Sequence, residues 1–385
     1  MGNEGRLAKR RQRGVLGGAL PLGAAVLAAC GGSAGPAATT GARPATPRAV
    51  STAASTPTPT PAPAPPVVVI TQSQNPGFVL EAMDAAGTPL WSAPYHTSPE
   101  FSVAGPRIFV ADYQARTVTV YDRTGHSAGT ANLPSSGTVV FSPTSAEWAW
   151  SAVDSTSPSP VPASSTQQVT VSGSFWVAGI GEAAHRVYRW TRTGRANQIQ
   201  PFDALAQWSD QGLVSSPPPP AAPCAQESQT VSYVVDPTSG ARTDLASDGR
   251  GVVDVHAGVV AAFTDPQTVV LSGRTQFTWT NTPAAPGEKP TGVARVSPAG
   301  TTVMVPLTNN GCAGQQPEQR TAFINVAAHS VSFVSGVFGD GWLDDTHVIA
   351  AVLGSGPNPE LDVVGLDGSR SLLGHGNPVG VLTAA

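Results

Sequence analysis

Between Val67 and Ala385 one short unit recurs, an apolar strand that ends at a polar turn and is followed within a few residues by a second apolar strand. It runs Phe101-Ser102-Val103-Ala104-Gly105 before Ile108-Phe109-Val110, then Phe141-Ser142-Pro143 before Trp148-Ala149-Trp150. It returns as Trp208-Ser209-Asp210-Gln211-Gly212 before Leu213-Val214, and as Val296-Ser297-Pro298-Ala299-Gly300 before Val303-Met304-Val305. Weaker copies are Val255-His256-Ala257-Gly258 before Val259-Val260, and Trp342-Leu343-Asp344-Asp345 before Val348-Ile349. Anchored at residues 102, 142, 209, 256, 297 and 343, the copies are 40, 67, 47, 41 and 46 residues apart. That period belongs to a chain in which each repeat is one small antiparallel sheet, of about 40 to 50 residues. The 67-residue interval contains a Ser/Pro-rich stretch from Asp154 to Thr166, to which the excess is assigned.

No stretch of a dozen or more residues in this region has helical apolar spacing, so the expectation is all-β. A second signal keeps register with the first. Several units carry a hairpin with Asp ahead of Gly, as in Asp84-Ala85-Ala86-Gly87, Asp122-Arg123-Thr124-Gly125, Asp236-Pro237-Thr238-Ser239-Gly240 and Asp367-Gly368. Asp caps the turn backbone and Gly accepts the positive φ that closes it.

The segment from Leu80 to Trp91 resembles one repeat of the quinoprotein-type propellers, and Phe141-Ser142-Pro143 with Val296-Ser297-Pro298-Ala299-Gly300 resembles the WD-type and peptidase-associated propeller repeats. The resemblance implies a β-propeller and no single activity, because that fold carries hydrolases, dehydrogenases and pure binders. A quinone cofactor would require many copies of the Trp-bearing repeat, and one is recognisable. No cofactor is expected.

The chain begins with Arg6, Lys9, Arg10, Arg11 and Arg13, followed by an uncharged run from Gly14 to Ala29. This is the layout of an export signal, too short and too weakly apolar for a permanent membrane span. Leu27-Ala28-Ala29-Cys30 resembles the bacterial lipobox, which implies cleavage after residue 29 and lipid attachment at Cys30, with palmitate among its acyl chains. Arg10-Arg11 is loosely similar to a twin-arginine signal, and the export route stays open. Residues 30–66 are almost wholly Ala, Pro, Thr, Ser and Gly, a composition that cannot bury a core and stiffens into an extended spacer. The expected organisation is therefore a signal peptide over 1–29, a linker over 30–66 and a propeller over 67–385. Without the signal, 16 basic residues face 24 acidic ones, a net charge of −8, which excludes a nucleic-acid surface.

Cys224 and Cys312 remain after lipidation in an oxidising compartment, where pairing and separate thiols are both open. No Cys/His spacing points to a metal. Gly125-His126-Ser127-Ala128-Gly129 matches the G-x-S-x-G elbow of serine esterases, yet it coincides with a hairpin turn and leaves no room for the helix an elbow needs. Asp340, Asp344, Asp345 and His347 are close enough in sequence for cation binding or acid/base work, but Asp344-Asp345 occupies the turn slot held by Pro143-Thr144 and Pro298-Ala299 in other repeats. His185 and Arg186 read as a solvated strand edge. The tryptophans, among them Trp148, Trp150, Trp176, Trp190 and Trp208, fall in or beside strands and are expected between blades, while aromatic rings at a rim suit sugars.

The resulting expectation is a monomeric, lipid-anchored binding or scaffolding protein of the bacterial envelope, with a protein, peptide or glycan as partner. The alternative is a propeller hydrolase or lyase using the central channel. A third reading, by analogy with the propeller lipoprotein of outer-membrane assembly machinery, is a scaffold. Seven blades are expected, six being the runner-up. Val379 to Leu382 joins three N-terminal strands, Val67–Thr71, Phe78–Met83 and Pro89–Ala93, to make the seventh. Long connections between second and third strands, 154–166, 215–228 and 307–320, place the working face on that side.

Overall fold

The computed structural model describes residues 65–383 apart from 75–76, 135–138, 158–165, 196–202, 217–231, 247–250, 266, 286, 310–318 and 353–357. Cys30, Cys224, Cys312 and the signal and linker segments before residue 65 lie outside the described residues.

Seven antiparallel sheets follow one another along the chain. Blade 1 holds β1 (Val67–Ser73), β2 (Phe78–Asp84) and β3 (Pro89–Tyr95). Blade 2 holds β4 (Glu100–Ala104), β5 (Arg107–Asp112), β6 (Thr117–Tyr121) and β7 (Ser127–Asn132). Blade 3 holds β8 (Val139–Phe141), β9 (Glu147–Ser157), β10 (Gln168–Gly179) and β11 (His185–Arg195). Blade 4 holds β12 (Leu205–Ser209), β13 (Gly212–Ser215), β14 (Ser232–Val235) and β15 (Arg242–Ala246). Blade 5 holds β16 (Gly251–His256), β17 (Val259–Asp265), β18 (Thr268–Gly273) and β19 (Phe277–Thr280). In blade 6 the inner position is divided between β20 (Glu288–Pro290) and β21 (Arg295–Val296), both paired with β22 (Thr302–Asn309), ahead of β23 (Gln319–Asn325) and β24 (Ser330–Ser335). Blade 7 holds β25 (Phe338–Trp342), β26 (His347–Val352), β27 (Glu360–Gly365) and β28 (Arg370–His375). The last strand, β29 (Asn377–Leu382), returns to β1 and completes blade 1 in the order β29-β1-β2-β3.

The chain is thus a seven-bladed β-propeller, closed by one C-terminal and three N-terminal strands as the sequence predicts. Closure pairs Val67 with Leu382, Val68 with Val381 and Val69 with Gly380, and it covers the run Val67 to Ile70, whose members are 5% exposed or less. Two neighbouring sheet edges that would otherwise face water are satisfied by each other.

The core lies between blades. Blades 1 and 2 share Val69, Leu80, Ala82, Ile108 and Val110; blades 3 and 4 share Phe175, Trp190, Leu213 and Tyr233; blades 5 and 6 share Val259, Leu271, Val303 and Ile324. Second strands such as Ile108-Phe109-Val110-Ala111 are buried on both faces because each sheet is covered on both sides by its neighbours, so they read as continuous apolar runs.

The Asp-before-Gly turns have a second use. Gly87, Gly125 and Gly240 have φ of +80°, +80° and +71°, and a Cβ at each would meet the outer strand of the preceding blade. At Gly125 it would come within 2.8 Å of the Trp91 ring, whose Nε1–H donates to Arg123 O at 3.0 Å. Glycine is required both for backbone hand and for close approach of the neighbouring sheet.

One expectation needs revision. The long interval between the second and third repeats is not all insert, because β9, β10 and β11 are 11, 12 and 11 residues long and their pairing continues to Ser157, Gln168 and Arg195. Ser and Thr side chains paired across the strands let this polar sequence stay in the ladder.

Candidate functional site: channel, collar and the long-loop face

Each inner strand reaches its turn by the same pairing, so the residues ahead of the turns are comparable. Trp208, Val255, Val296 and Trp342 pair with Leu213, Val260, Val303 and Val348. The residue before each is Gln207, Asp254, Arg295 and Gly341, and Asp340 is the unpaired residue of a bulge one position earlier. Three charged groups are thereby gathered on adjacent inner strands of blades 5, 6 and 7, together with Gln207 of blade 4. The sequence analysis does not find this group, although aligning the repeats on their turns brings Gln207, Asp254 and Arg295 into one column.

Their bonding shows what they do. Gln207 Nε2 donates to Asp254 Oδ1 at 2.8 Å, Val255 N donates to Gln207 Oε1 at 3.2 Å, and Val296 N donates to Asp254 Oδ2 at 2.7 Å. One carboxyl therefore joins blades 4, 5 and 6. Burial raises the Asp254 pKa, opposed by the Arg295 charge and by these donors. Asp340 accepts from Ala351 N at 3.2 Å, and burial pushes it up to about 6, against the pull of that bond and of Arg295.

Beside this group the turns between first and second strands form a collar around one mouth of the channel. Adjacent turns are bonded at Thr383 N to Gly105 O (3.1 Å), Arg107 Nη1 to Thr144 O (3.0 Å), Ala257 N to Asp210 Oδ2 (2.8 Å) and Ala299 N to Asp345 Oδ1 (2.7 Å). His256 Nε2 lies 3.1 Å from Pro298 O. Asp345 is thus a turn-to-turn tie. Asp344 caps its own turn through Thr346 N (2.7 Å) and His347 N (2.8 Å) and meets His347 Nδ1 at 3.0 Å. Partial burial raises the Asp344 pKa, but these donors outweigh it and the net shift is downward. The structure separates the four sequence candidates: Asp340 is in the channel, and Asp344, Asp345 and His347 build the collar.

Ser127 opens β7 on the surface, where its Oγ accepts from Gly129 N at 3.2 Å. The preceding Asp122 caps Thr124 N and His126 N, and His126 Nδ1 is 2.6 Å from Thr124 Oγ1. This is a capped hairpin, so the G-x-S-x-G match is a turn and not a nucleophile elbow.

At the opposite ends of the sheets the second strands end and the third strands begin. Blade 3 extends furthest there. Trp150 and Trp176 are cross-strand partners with ring centroids 6.4 Å apart and planes at 13°. Beyond them Ser172 meets Thr191 at 3.1 Å, Thr170 meets Thr193 at 3.0 Å, and Ser174 donates to Asp154 at 2.5 Å. Trp148, Trp190 and Trp208 are buried between blades as expected. His185 and Arg186 are exposed at the start of β11, and Arg189 and Arg195 are exposed further along it, whereas Arg192 binds the buried Asp203 at 2.7 Å. Tyr233 of blade 4 also donates to Asp203, at 3.1 Å. Among the described residues no group of three or more His, Cys, Asp or Glu is arranged to hold a metal ion.

No protein-family model matches the sequence, and no curated protein does. Solved structures do. Acylaminoacyl peptidase from Pyrococcus horikoshii is similar with a TM-score of 0.53 and 12% identity over 81% of this chain and 52% of that one. A prolyl endopeptidase gives 0.50 and 11% over 82% and 50%, so this chain spans about half the length of those two. The apo form of AztD from Citrobacter koseri gives 0.42 and 11% over 82% and 97%. The chain is a propeller. At these identities the likeness speaks for the fold alone.

Proposed function

We propose that this chain is an exported lipoprotein, anchored through Cys30 and held from the bacterial membrane by its Pro-rich linker, whose propeller binds a partner on the long-loop face. The observation that carries this reading is where the described chain enters the ring. Val67 begins β1 at the collar end, and Arg123, in the turn between β6 and β7, bonds Pro65 O. Residues 65 and 66 thus enter at the collar face, and blade 3 extends on the opposite one. Long loops and projecting strands on a rigid ring are where binding residues concentrate. The collar, by contrast, has its turns and carboxyls occupied with one another.

Two measurements test the reading. Cys30→Ser is expected to abolish labelled-lipid incorporation and move the protein out of the membrane fraction; an unlabelled wild type with a membrane-bound mutant overturns the anchor. Chemical cross-linking in intact cells is expected to map partner contacts to the long-loop face, and a footprint confined to the collar overturns the orientation.

A further inference from the structure

We propose that the side of β9, β10 and β11 turned towards blade 2 binds an acidic glycan, a polysaccharide whose sugars carry carboxylates. The proposal rests on the binding function above and names the ligand class. The residues on this side follow from the registers. Arg186, Trp176 and Trp150 form one row across the sheet, Arg189, Ser174 and Ala152 the next, then Thr191, Ser172 and Ser155, then Thr193, Thr170 and Ser157, and finally Arg195 with Gln168. The three arginines stand in one column along the outer strand, and Arg189 and Arg195 are separated by about 20 Å at ~3.3 Å per residue. Arg186, Arg189 and Arg195 are exposed and make no ion pair among the described residues.

Charge selects an anion. The chain outside its first 29 residues is acidic by eight, yet β11 carries four arginines, a histidine and no acid, and the carboxylate of Asp154 on β9 is engaged by the buried Ser174. Guarding an open edge is a common use of such charges. It does not account for them here, because, of the six other outer strands, β3, β7, β19 and β24 carry no charged residue and β15 and β28 carry one arginine each, against four on β11. Nor does it place the three unpaired guanidiniums on one side. The uncharged part of the surface selects a sugar. A pyranose presents hydroxyls at its rim and C–H groups on its face, which match a hydroxyl ladder and a pair of nearly parallel indoles. The planar guanidinium fork matches a carboxylate in two parallel bonds.

The test is affinity electrophoresis of the full-length protein in detergent, through gels containing polygalacturonate or, as neutral control, dextran. Polygalacturonate is expected to retard the wild type and dextran is not. Replacing Arg186, Arg189 and Arg195 together by Gln should weaken retention by about tenfold or more, since each loses a charge-assisted contact. Arg116→Gln with Lys289→Gln, a loss of charge elsewhere, should leave it unchanged. Trp176→Leu should weaken it with the arginines intact, and amide exchange over 168–176 and 186–195 should slow when the polysaccharide is added. No retardation of the wild type, equal retention of the triple variant at an unchanged melting temperature, or equal retention by dextran overturns the proposal. If cellular cross-links still fall on the long-loop face, the ligand class alone is lost; if they fall on the collar, the binding orientation is lost as well.

Discussion

At the scale of residues, Asp340 shows how a group can be unhelpful to stability and still be held in place. Its carboxyl sits in the channel with one backbone donor, and burial raises its pKa to about 6. A raised folded-state pKa contributes stability that is fully present below the unfolded value near 3.8 and is lost as pH rises through 6. Asp340→Asn removes the ionisation and keeps an oxygen for Ala351 N. The variant should therefore unfold like the wild type at pH 4 and be more stable at pH 8, by about 1 to 3 kcal/mol for a shift of this size; equal denaturation midpoints at both pH values would refute the assignment. Asp254 behaves differently because two donors on two other blades, Gln207 Nε2 and Val296 N, depend on it, and Gln207 in turn accepts from Val255 N on the strand of Asp254. Neither role is visible in a single repeat. Both become legible only when the inner strands are aligned on their turns, which requires knowing that the repeats are blades.

At the scale of elements, the braces that sequence cannot show are long-range pairs of opposite charge. Arg320 on β23 is bonded to Glu288 on β20, with Nη2 to Oε2 at 2.8 Å, and donates to Thr282 O at 3.1 Å while its guanidinium lies 4.1 Å from the centre of the Phe333 ring. Glu288 is buried and also accepts from Ala284 N at 2.6 Å. In the divided inner position of blade 6, β20 pairs with β22 and is tied across it to β23 by the Arg320–Glu288 pair, and β21 resumes the position near the turn. Arg320→Met leaves a buried carboxylate unpaired and should cost roughly 3 kcal/mol in chemical denaturation. A loss within error of zero would mean the pair is solvated. In blade 3 the difficulty was composition. The stretch from Asp154 reads as a Ser-rich insert because hydroxyl side chains resemble loop residues one at a time; only the cross-strand partners of Ser155 and Ser157, Ser172 and Thr170, show them to be strand.

At the scale of the whole molecule, seven blades were legible because two signals share a period and the terminal pieces add up to one sheet. Removing residues 377–385 takes away β29, exposes one edge of β1 and uncovers Val67 to Ile70. The truncated protein should melt about 10 °C or more below the intact one, at the ~2 to 4 °C per kcal/mol usual for chains of this size, while removing the linker up to Pro66 should leave the melting point where it was. A truncation that melts with the wild type would show that the ring holds without its clasp. The clasp also sets an order of events. Thr71 and Asn377, which meet across it, are 306 residues apart in sequence. In a chain made from its N-terminus, the apolar strand β1 exists before six other sheets are complete and waits for the last strand to appear. Contacts this distant in sequence form late and slowly, so during synthesis β1 remains a sticky open edge that only the finished chain can cover.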